Sequence, residues 1–301
     1  MVELERIPTE QRNAASVHID TLSTQEMVRL INREDQKVAL AVEKEIEHIA
    51  AAVDLIYGRM REGGRLIYCG AGTSGRLGVL DAAECPPTYS TDPGLVMGLM
   101  AGGEHAMFRA AEGVEDDPAV GRDDLKKIAF GPKDVLVGIA ASGRTPYVLG
   151  AMEYAKSFGA STVAVTCSPG SAVASAADIS IAPEPGPEVI TGSTRMKSGT
   201  AQKMVLNMLS TCTMIRMGKV YGNLMVDVKP SNKKLVQRCI SIVCSATDCS
   251  EETASAALDR CGSNAKVAIV MILCGCDAKE AAQRLEESDG RIADVLRATG
   301  N

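Results

Sequence analysis

Two short stretches of this sequence carry the residue types that hold an anion. Gly70-Ala71-Gly72-Thr73-Ser74-Gly75 follows the apolar run Arg65-Leu66-Ile67-Tyr68-Cys69 and precedes a helical pattern over residues 75–83. Ala141-Ser142-Gly143-Arg144-Thr145 follows Asp134-Val135-Leu136-Val137-Gly138-Ile139-Ala140 and precedes Pro146, which suits the first residue of a helix. In both, glycine lets the backbone approach a ligand, and hydroxyls stand beside the free N–H groups of a helix start. Phosphate fits such a site, with Thr73, Ser74, Ser142 and Thr145 as its candidates. The first loop also matches the dinucleotide fingerprint, which needs an acidic residue at the end of the next strand. The next apolar run, residues 95–100, ends in Ala101-Gly102-Gly103 with Glu104 only just beyond, so that reading is the weaker one. A plain tight turn is the structural alternative.

Carboxylates supply the candidates for proton transfer. Glu84 lies in Asp81-Ala82-Ala83-Glu84-Cys85-Pro86-Pro87, at an expected helix end whose exit the two prolines fix. Burial there would disfavour the charged form and keep a proton available to a general acid; an exposed surface glutamate is the plainer reading. Glu112 and Glu115-Asp116-Asp117 form an acidic cluster, which on spacing alone reads as a solvated loop. His105 follows Glu104 in a loop near the expected crevice, a candidate for opening a sugar ring or simply a solvated histidine. The cysteines fall at 69, 85, 167, 212, 239, 244, 249, 261, 274 and 276, with no Cys-x-x-Cys. His18, His48 and His105 precede the Cys-rich end, and Cys274-Gly275-Cys276 is too close for a zinc pair, so no metal is expected. Most of these cysteines are expected to be small apolar core residues.

The elements that must position these residues follow from periodicity. Residues 23–61 read as one or two long helices, with Val38, Val42, Ile46, Ile49, Val53 and Ile56 at steps of three and four. Between residues 63 and 220, strands at 65–69, 134–140, 162–166 and 179–181 alternate with helical patterns, the last over 200–217. That alternation predicts an open parallel α/β sheet. Ligands bind such sheets at the carboxyl ends of the strands, so both loops should line one crevice. Over residues 247–301, Asp248-Cys249-Ser250-Glu251 and Asp277-Ala278-Lys279-Glu280 resemble capping boxes, and Gly262 and Gly275 mark helix stops. With the apolar run 265–274 they predict three short helices in a bundle. Residues 222–246, with Lys229-Pro230-Ser231-Asn232, read as a connection carrying one more helix. The expected organisation is a helical arm at 1–62, an α/β domain at 63–221 and a helical domain at 222–301.

Composition narrows the function classes. The chain has 301 residues and a net charge of −6, which excludes a broad basic footprint for nucleic acid. Six Tyr, three Phe and no Trp leave little for base stacking or aromatic sugar platforms. Ten cysteines in so long a chain do not read as a disulfide framework. No run reaches the ~18 apolar residues of a membrane span, and Met1-Val2-Glu3-Leu4-Glu5-Arg6 has no apolar signal region. A cytoplasmic protein with reduced thiols and no membrane partner is expected.

Longer blocks carry a resemblance. Gly70-Ala71-Gly72-Thr73-Ser74-Gly75-Arg76 with Asp81-Ala82-Ala83-Glu84-Cys85-Pro86-Pro87-Thr88 resembles the N-acetylmuramic acid 6-phosphate etherase family. So do Ala111-Glu112-Gly113-Val114-Glu115-Asp116-Asp117, Gly138-Ile139-Ala140-Ala141-Ser142-Gly143-Arg144-Thr145-Pro146-Tyr147 and Thr191-Gly192-Ser193-Thr194-Arg195-Met196-Lys197. The likeness starts near Thr9-Glu10-Gln11-Arg12-Asn13 and covers nearly the whole chain. It implies a flavodoxin-like sugar isomerase (SIS) fold with a phosphosugar-binding domain, N-terminal helices and a small C-terminal bundle like a ubiquitin-associated module. It implies a homodimer with sites near the subunit interface. It further implies a carbon–oxygen lyase that releases D-lactate from N-acetylmuramic acid 6-phosphate, leaving N-acetylglucosamine 6-phosphate, in peptidoglycan recycling or amino-sugar catabolism. No cofactor is implied. Glu84 would be the acid, Glu115 the base at C2, and Ser74, Ser142 and Thr145 the phosphate ligands, with Ser193, Thr194 and Lys197 closing over the sugar. Val114 stands where the family pattern has Ala, and Cys167-Ser168-Pro169 where it has Cys-Asn-Pro. A phosphosugar sensor like the glucokinase regulatory protein, an aldose–ketose isomerase and a nucleotide-dependent oxidoreductase are the competing readings.

Overall fold

The computed structural model describes residues 8–109, 113–228 and 233–300. The readings of residues 1–6, of Glu112 and of Lys229-Pro230-Ser231-Asn232 lie outside the described residues. The chain divides into two compact units, one running up to Ala83 and over Pro93–Ser210, the other comprising Glu84–Asp92 and the chain from Thr211 on.

In the first unit the N-terminal apolar periodicity becomes α1 (Thr24–Glu43) and α2 (Ile46–Arg61). Ser23 starts α1 with a full capping box, its hydroxyl accepting from Glu26 N while Glu26 accepts from Ser23 N. Val38, Val42, Ile49, Val53 and Ile56 are buried as the period requires, but Ile46 is 49% exposed. The break at Lys44 and Glu45 rotates the apolar face, and Ile46 falls off it.

The sheet is built from β1 (Leu66–Gly70), β2 (Val96–Met100), β3 (Val135–Ala140), β4 (Ser161–Thr166) and β5 (Ile179–Ile181). Its strands are all parallel, in the order β2-β1-β3-β4-β5. This is the flavodoxin-like order. Every residue of β1, β3 and β4 is buried, as expected of parallel strands covered on both faces. The crossovers are α3 (Gly72–Tyr89), α4 (His105–Phe108), α5 (Pro118–Lys127), α6 (Pro146–Ser157) and α7 (Ala172–Ala176), and α8 (Lys197–Arg216) follows the last strand. Ile67, Cys69, Leu136, Ala164, Tyr147 and Met152 belong to one core cluster. Cys69 lies within it, where burial pushes its thiol up to about 12.

Two expectations fail along α3. The helix starts three residues earlier than residue 75 and does not stop at Ala83; it runs through Pro86 and Pro87 to Tyr89. Proline removes an N–H and normally breaks a helix interior. The two prolines leave the carbonyls of Ala82 and Ala83 without their helical donors, and the loss falls in the last turns, where Ala83 is exposed though Ala82 is buried.

In the second unit a small hairpin pairs β6 (Val220–Tyr221) with β7 (Leu224–Met225), which periodicity did not disclose. Five helices follow: α9 (Lys233–Thr247), α10 (Glu251–Arg260), α11 (Ala265–Cys274), α12 (Ala278–Glu287) and α13 (Ile292–Thr299). One is more than expected, because Asp289 and Gly290 adopt positive φ and divide the last segment. Asp277 caps α12 as anticipated. At α10 the cap is Ser250, and Asp248 instead takes a φ of 54° in the turn before it. Val243, Ala268, Ile269, Val270, Ala281 and Val295 share the core of this unit. Only four of the ten cysteines are buried, five are half-buried and Cys212 is exposed, so most are not full core residues.

The amino ends of β1 and β3 are tied together by one ion pair. Asp134 accepts from Arg65 N, Nε and Nη2 at 2.9, 3.1 and 2.7 Å and from Gly131 N at 2.9 Å. Arg65 also donates to the carbonyls of Ile128 and Ala129. Asp134→Ala leaves this guanidinium without its counter-charge, and we expect a loss of about 3 kcal/mol in urea unfolding at neutral pH. A change within the error of the fit would show that the pair does not hold these strands.

Candidate active site

Strand β1 runs directly into α3, and β3 runs through a short loop into α6. The two strands are neighbours, with Gly70 opposite Ile139, so their carboxyl ends lie about 5 Å apart. Strand order reverses at this pair, since β2 lies outside β1 on one side and β4 outside β3 on the other. A crevice opens at such a switch point, where ligands bind open α/β sheets.

Thr73 and Ser74 fall in the first turn of α3, beside its unsatisfied N–H groups. Thr145 is the N-cap of α6, yet its side chain makes no capping bond, and Pro146 takes the first helical position. Gly143 between Ser142 and Thr145 has a φ of +66°, and a Cβ there would come within 1.9 Å of Ser171 Oγ. Only glycine allows the loop to lie this close to the N-cap of α7.

The first turns of α8 meet the first loop. A methyl on Gly199 would stand 3.4 Å from Thr73 Cγ2 and 3.5 Å from the Thr194 carbonyl oxygen. Ser74 Oγ donates to Gln202 Oε1 at 2.9 Å, and both residues are buried. Thr73, Ser74, Thr194 and Gln202 therefore cluster at one end of the sheet, with Ser193 half-buried next to Thr194.

Lys197 does not join them. It is 1% exposed, and its Nζ donates to Glu34 Oε2 at 2.8 Å. Asn13 and Lys37 also donate to Glu34, at 2.9 and 2.6 Å. The ammonium expected over the sugar is held by α1 in this structure, since a buried ammonium needs a counter-charge. The start of α8 is likewise occupied. Glu188, fully buried, accepts from Lys197 N and Ser198 N, both at 2.9 Å. An anion site forms there, but the protein's own carboxylate fills it.

The two candidate acid–base groups belong to different compact units. Glu115 is exposed in a short 3₁₀ turn (Val114–Asp116) ahead of α5, and Asp117 of the same cluster is the N-cap of that helix. Glu84 lies on α3 in the second unit and is exposed as well; the burial anticipated for it is not present in the single chain. His105 is exposed at the start of α4.

Comparison with known proteins agrees with this architecture. A model of the glucokinase regulatory protein N-terminal SIS domain matches residues 48–156, and the SIS domain model matches residues 121–211. The N-acetylmuramic acid 6-phosphate etherase of Photobacterium profundum is 58% identical over 297 residues, covering 99% of both chains. The chain belongs to the N-acetylmuramic acid 6-phosphate etherase family. Another etherase, from Escherichia coli O17:K52:H18, is 58% identical over 98% of this chain and 99% of its own. A phosphoheptose isomerase from Neisseria gonorrhoeae shares the fold at a TM-score of 0.51 and 21% identity, over 64% of this chain and 98% of its own.

For this etherase-family chain, periodicity missed the buried polar residues. Nothing in the spacing singles out Gln202, in the helix expected over 200–217, or Glu34, in that over 23–61; only the fold shows that both are buried. Burial pushes the Glu34 carboxyl up, but hydrogen bonds from Lys197, Lys37 and Asn13 and the Lys197 charge outweigh it and leave it at about 2, against an ordinary 4.5. A depressed folded value means stability that is complete above about pH 4.5 and lost as pH falls toward 2. Glu34→Gln should cost about 3–5 kcal/mol at pH 7 and flatten the acid limb of the melting temperature below pH 4.5. Melting curves at pH 7, 4.5 and 3 check both; a wild-type melting temperature at pH 7 would refute the pairing.

Proposed function

We propose that this protein cleaves the D-lactyl ether of N-acetylmuramic acid 6-phosphate, giving N-acetylglucosamine 6-phosphate and D-lactate. The full-length 58% identity to etherases supports the reading. The observation that carries it in this molecule is the pair of hydroxyl-bearing loops at the adjacent ends of β1 and β3, a setting that suits the phosphate of a sugar phosphate. In our reading Ser74, Ser142 and Thr145 hold that phosphate, with Thr73 beside them. Ser193 and Thr194, on the segment before α8, contact the sugar.

The chemistry follows from the substrate. The lactyl ether oxygen sits on C3, β to the C1 aldehyde of the open-chain sugar. Glu115 removes the C2 proton, because the carbonyl delocalises the charge left behind. The C3–O bond breaks as Glu84 gives its proton to the departing ether oxygen, and lactate leaves. Water then adds at C3 of the unsaturated aldehyde, with its proton returned through the same groups. Elimination followed by hydration leaves the overall oxidation level unchanged, so the proposed route draws on no redox cofactor. Two carboxyl groups with opposite starting protonation suffice. The exposure of both suits a homodimer, since a second copy would close off what one chain leaves open. It would also cover Phe108, which is 91% exposed. Reduced thiols fit a cytoplasmic setting. Among the described residues no helix is long and apolar enough to cross a membrane.

The purified protein should release D-lactate from N-acetylmuramic acid 6-phosphate without added metal or NAD, and reaction in ¹⁸O-water should put one label at C3 of the sugar. A protein that interconverts an aldose and a ketose phosphate and frees no lactate would be the isomerase instead. Glu115→Gln should abolish exchange of the C2 proton with deuterated solvent, whereas Glu84→Gln should keep exchange and lose lactate release. The reverse pattern would exchange the two roles. Sedimentation equilibrium should give twice the 31.6 kDa chain mass, and a monomer would refute the dimer.

A further inference from the structure

Gln202 lies on α8, is 1% exposed, and touches the first phosphate loop through Ser74. The Ser74 hydroxyl has one proton, and in this structure it goes to Gln202 Oε1. A serine committed in that way cannot also donate to an anion at the first turn of α3. The other end of the same amide is in the opposite condition. Gln202 Nε2 is fully buried and has no hydrogen-bond partner among the described residues. A buried donor left unsatisfied is costly, and native structures keep few of them.

One rotation exchanges the two conditions. Turning the amide by 180° about its last bond brings Nε2 to Ser74 Oγ, which then accepts. The serine proton is released to point toward the mouth of the loop, and the buried N–H gains a partner while Oε1 gives its own up, so each orientation makes one Ser74–Gln202 bond. Without an anion nothing draws the proton outward; with one, the charge-assisted bond from Ser74 to the phosphate does. We propose that Gln202 is a positioning residue for the phosphate, whose amide turns over when the anion arrives and makes Ser74 a donor. The inference rests on the reading that Ser74 binds the substrate's phosphate. Gln202 itself touches no reacting atom.

The test is calorimetric titration of the full-length protein with inorganic phosphate, read beside lactate release from the muramic substrate. Gln202→Met keeps the volume and removes the amide, and should weaken phosphate about tenfold while raising KM and sparing kcat. Gln202→Glu preserves the resting acceptor for Ser74 but cannot donate as a carboxylate, and should weaken phosphate at least as much. The decisive variant is Ser74→Ala combined with Gln202→Met: if Gln202 acts through Ser74, the double variant binds phosphate no more weakly than Ser74→Ala alone. A Gln202→Met protein that binds phosphate like the wild type overturns the proposal. So do losses that simply add in the double variant, or a wild type with no phosphate affinity. A wild type that binds phosphate yet frees no lactate would defeat the etherase reading and leave the Gln202 result standing.

Discussion

The reversal of strand order between β1 and β3 governs everything else in the first unit. Because β2 returns on one side of β1 and β4 on the other side of β3, the chains leaving β1 and β3 depart in opposite directions. Their carboxyl ends are left adjacent and uncovered. Two helix starts, α3 and α6, therefore present amides and small hydroxyl residues to one space. The positive φ of Gly143 and the free Thr145 side chain are consequences of packing a loop into that space. In our proposal an acidic protein holds a phosphorylated acid there through the local field of two helix starts, and exposed charges more than a Debye length away are screened.

Buried charge sets the second constraint. Lys197, Glu34 and Glu188 are almost wholly inside, and each is matched by a partner of opposite sign or by helix amides. The network ties Asn13 and α1 to the segment carrying Ser193 and Thr194. The N-terminal residues are thus part of the frame behind that segment. The lysine beside a hydroxyl-rich motif is here paired within the fold.

What was legible in the residues has a common physical basis. Runs such as 134–140 and 162–166 declare strands because they are apolar throughout, and Pro146 and Gly275 declare a helix start and stop because their backbone preferences are local. The loops at Ser74 and Ser142 were legible for the same reason. Illegible were features decided by distant partners. Pro86 and Pro87 stay helical because their surroundings tolerate the lost bonds. Ser250 displaces Asp248 as a cap through turn geometry. Lys197 and Gln202 turn inward because Glu34 and Ser74 wait for them, 163 and 128 residues away in sequence. The roles we propose for Glu84 and Glu115 belong to the same class. Neither carries a local sign of its chemistry, and the family motifs alone single them out.

The chemistry asked of this frame is modest. A phosphate anchored at one end of an open-chain sugar fixes where C2 and C3 lie, and two carboxyl groups complete the elimination. Anchoring at the ends of β1 and β3 is therefore the central claim. It is tested most directly by a crystal structure of the Glu115→Gln protein with N-acetylmuramic acid 6-phosphate bound. The account predicts the phosphate within hydrogen-bond distance of the Ser74, Ser142 and Thr145 hydroxyls. A phosphate resting on Lys197 or elsewhere, with both loops empty, would contradict it.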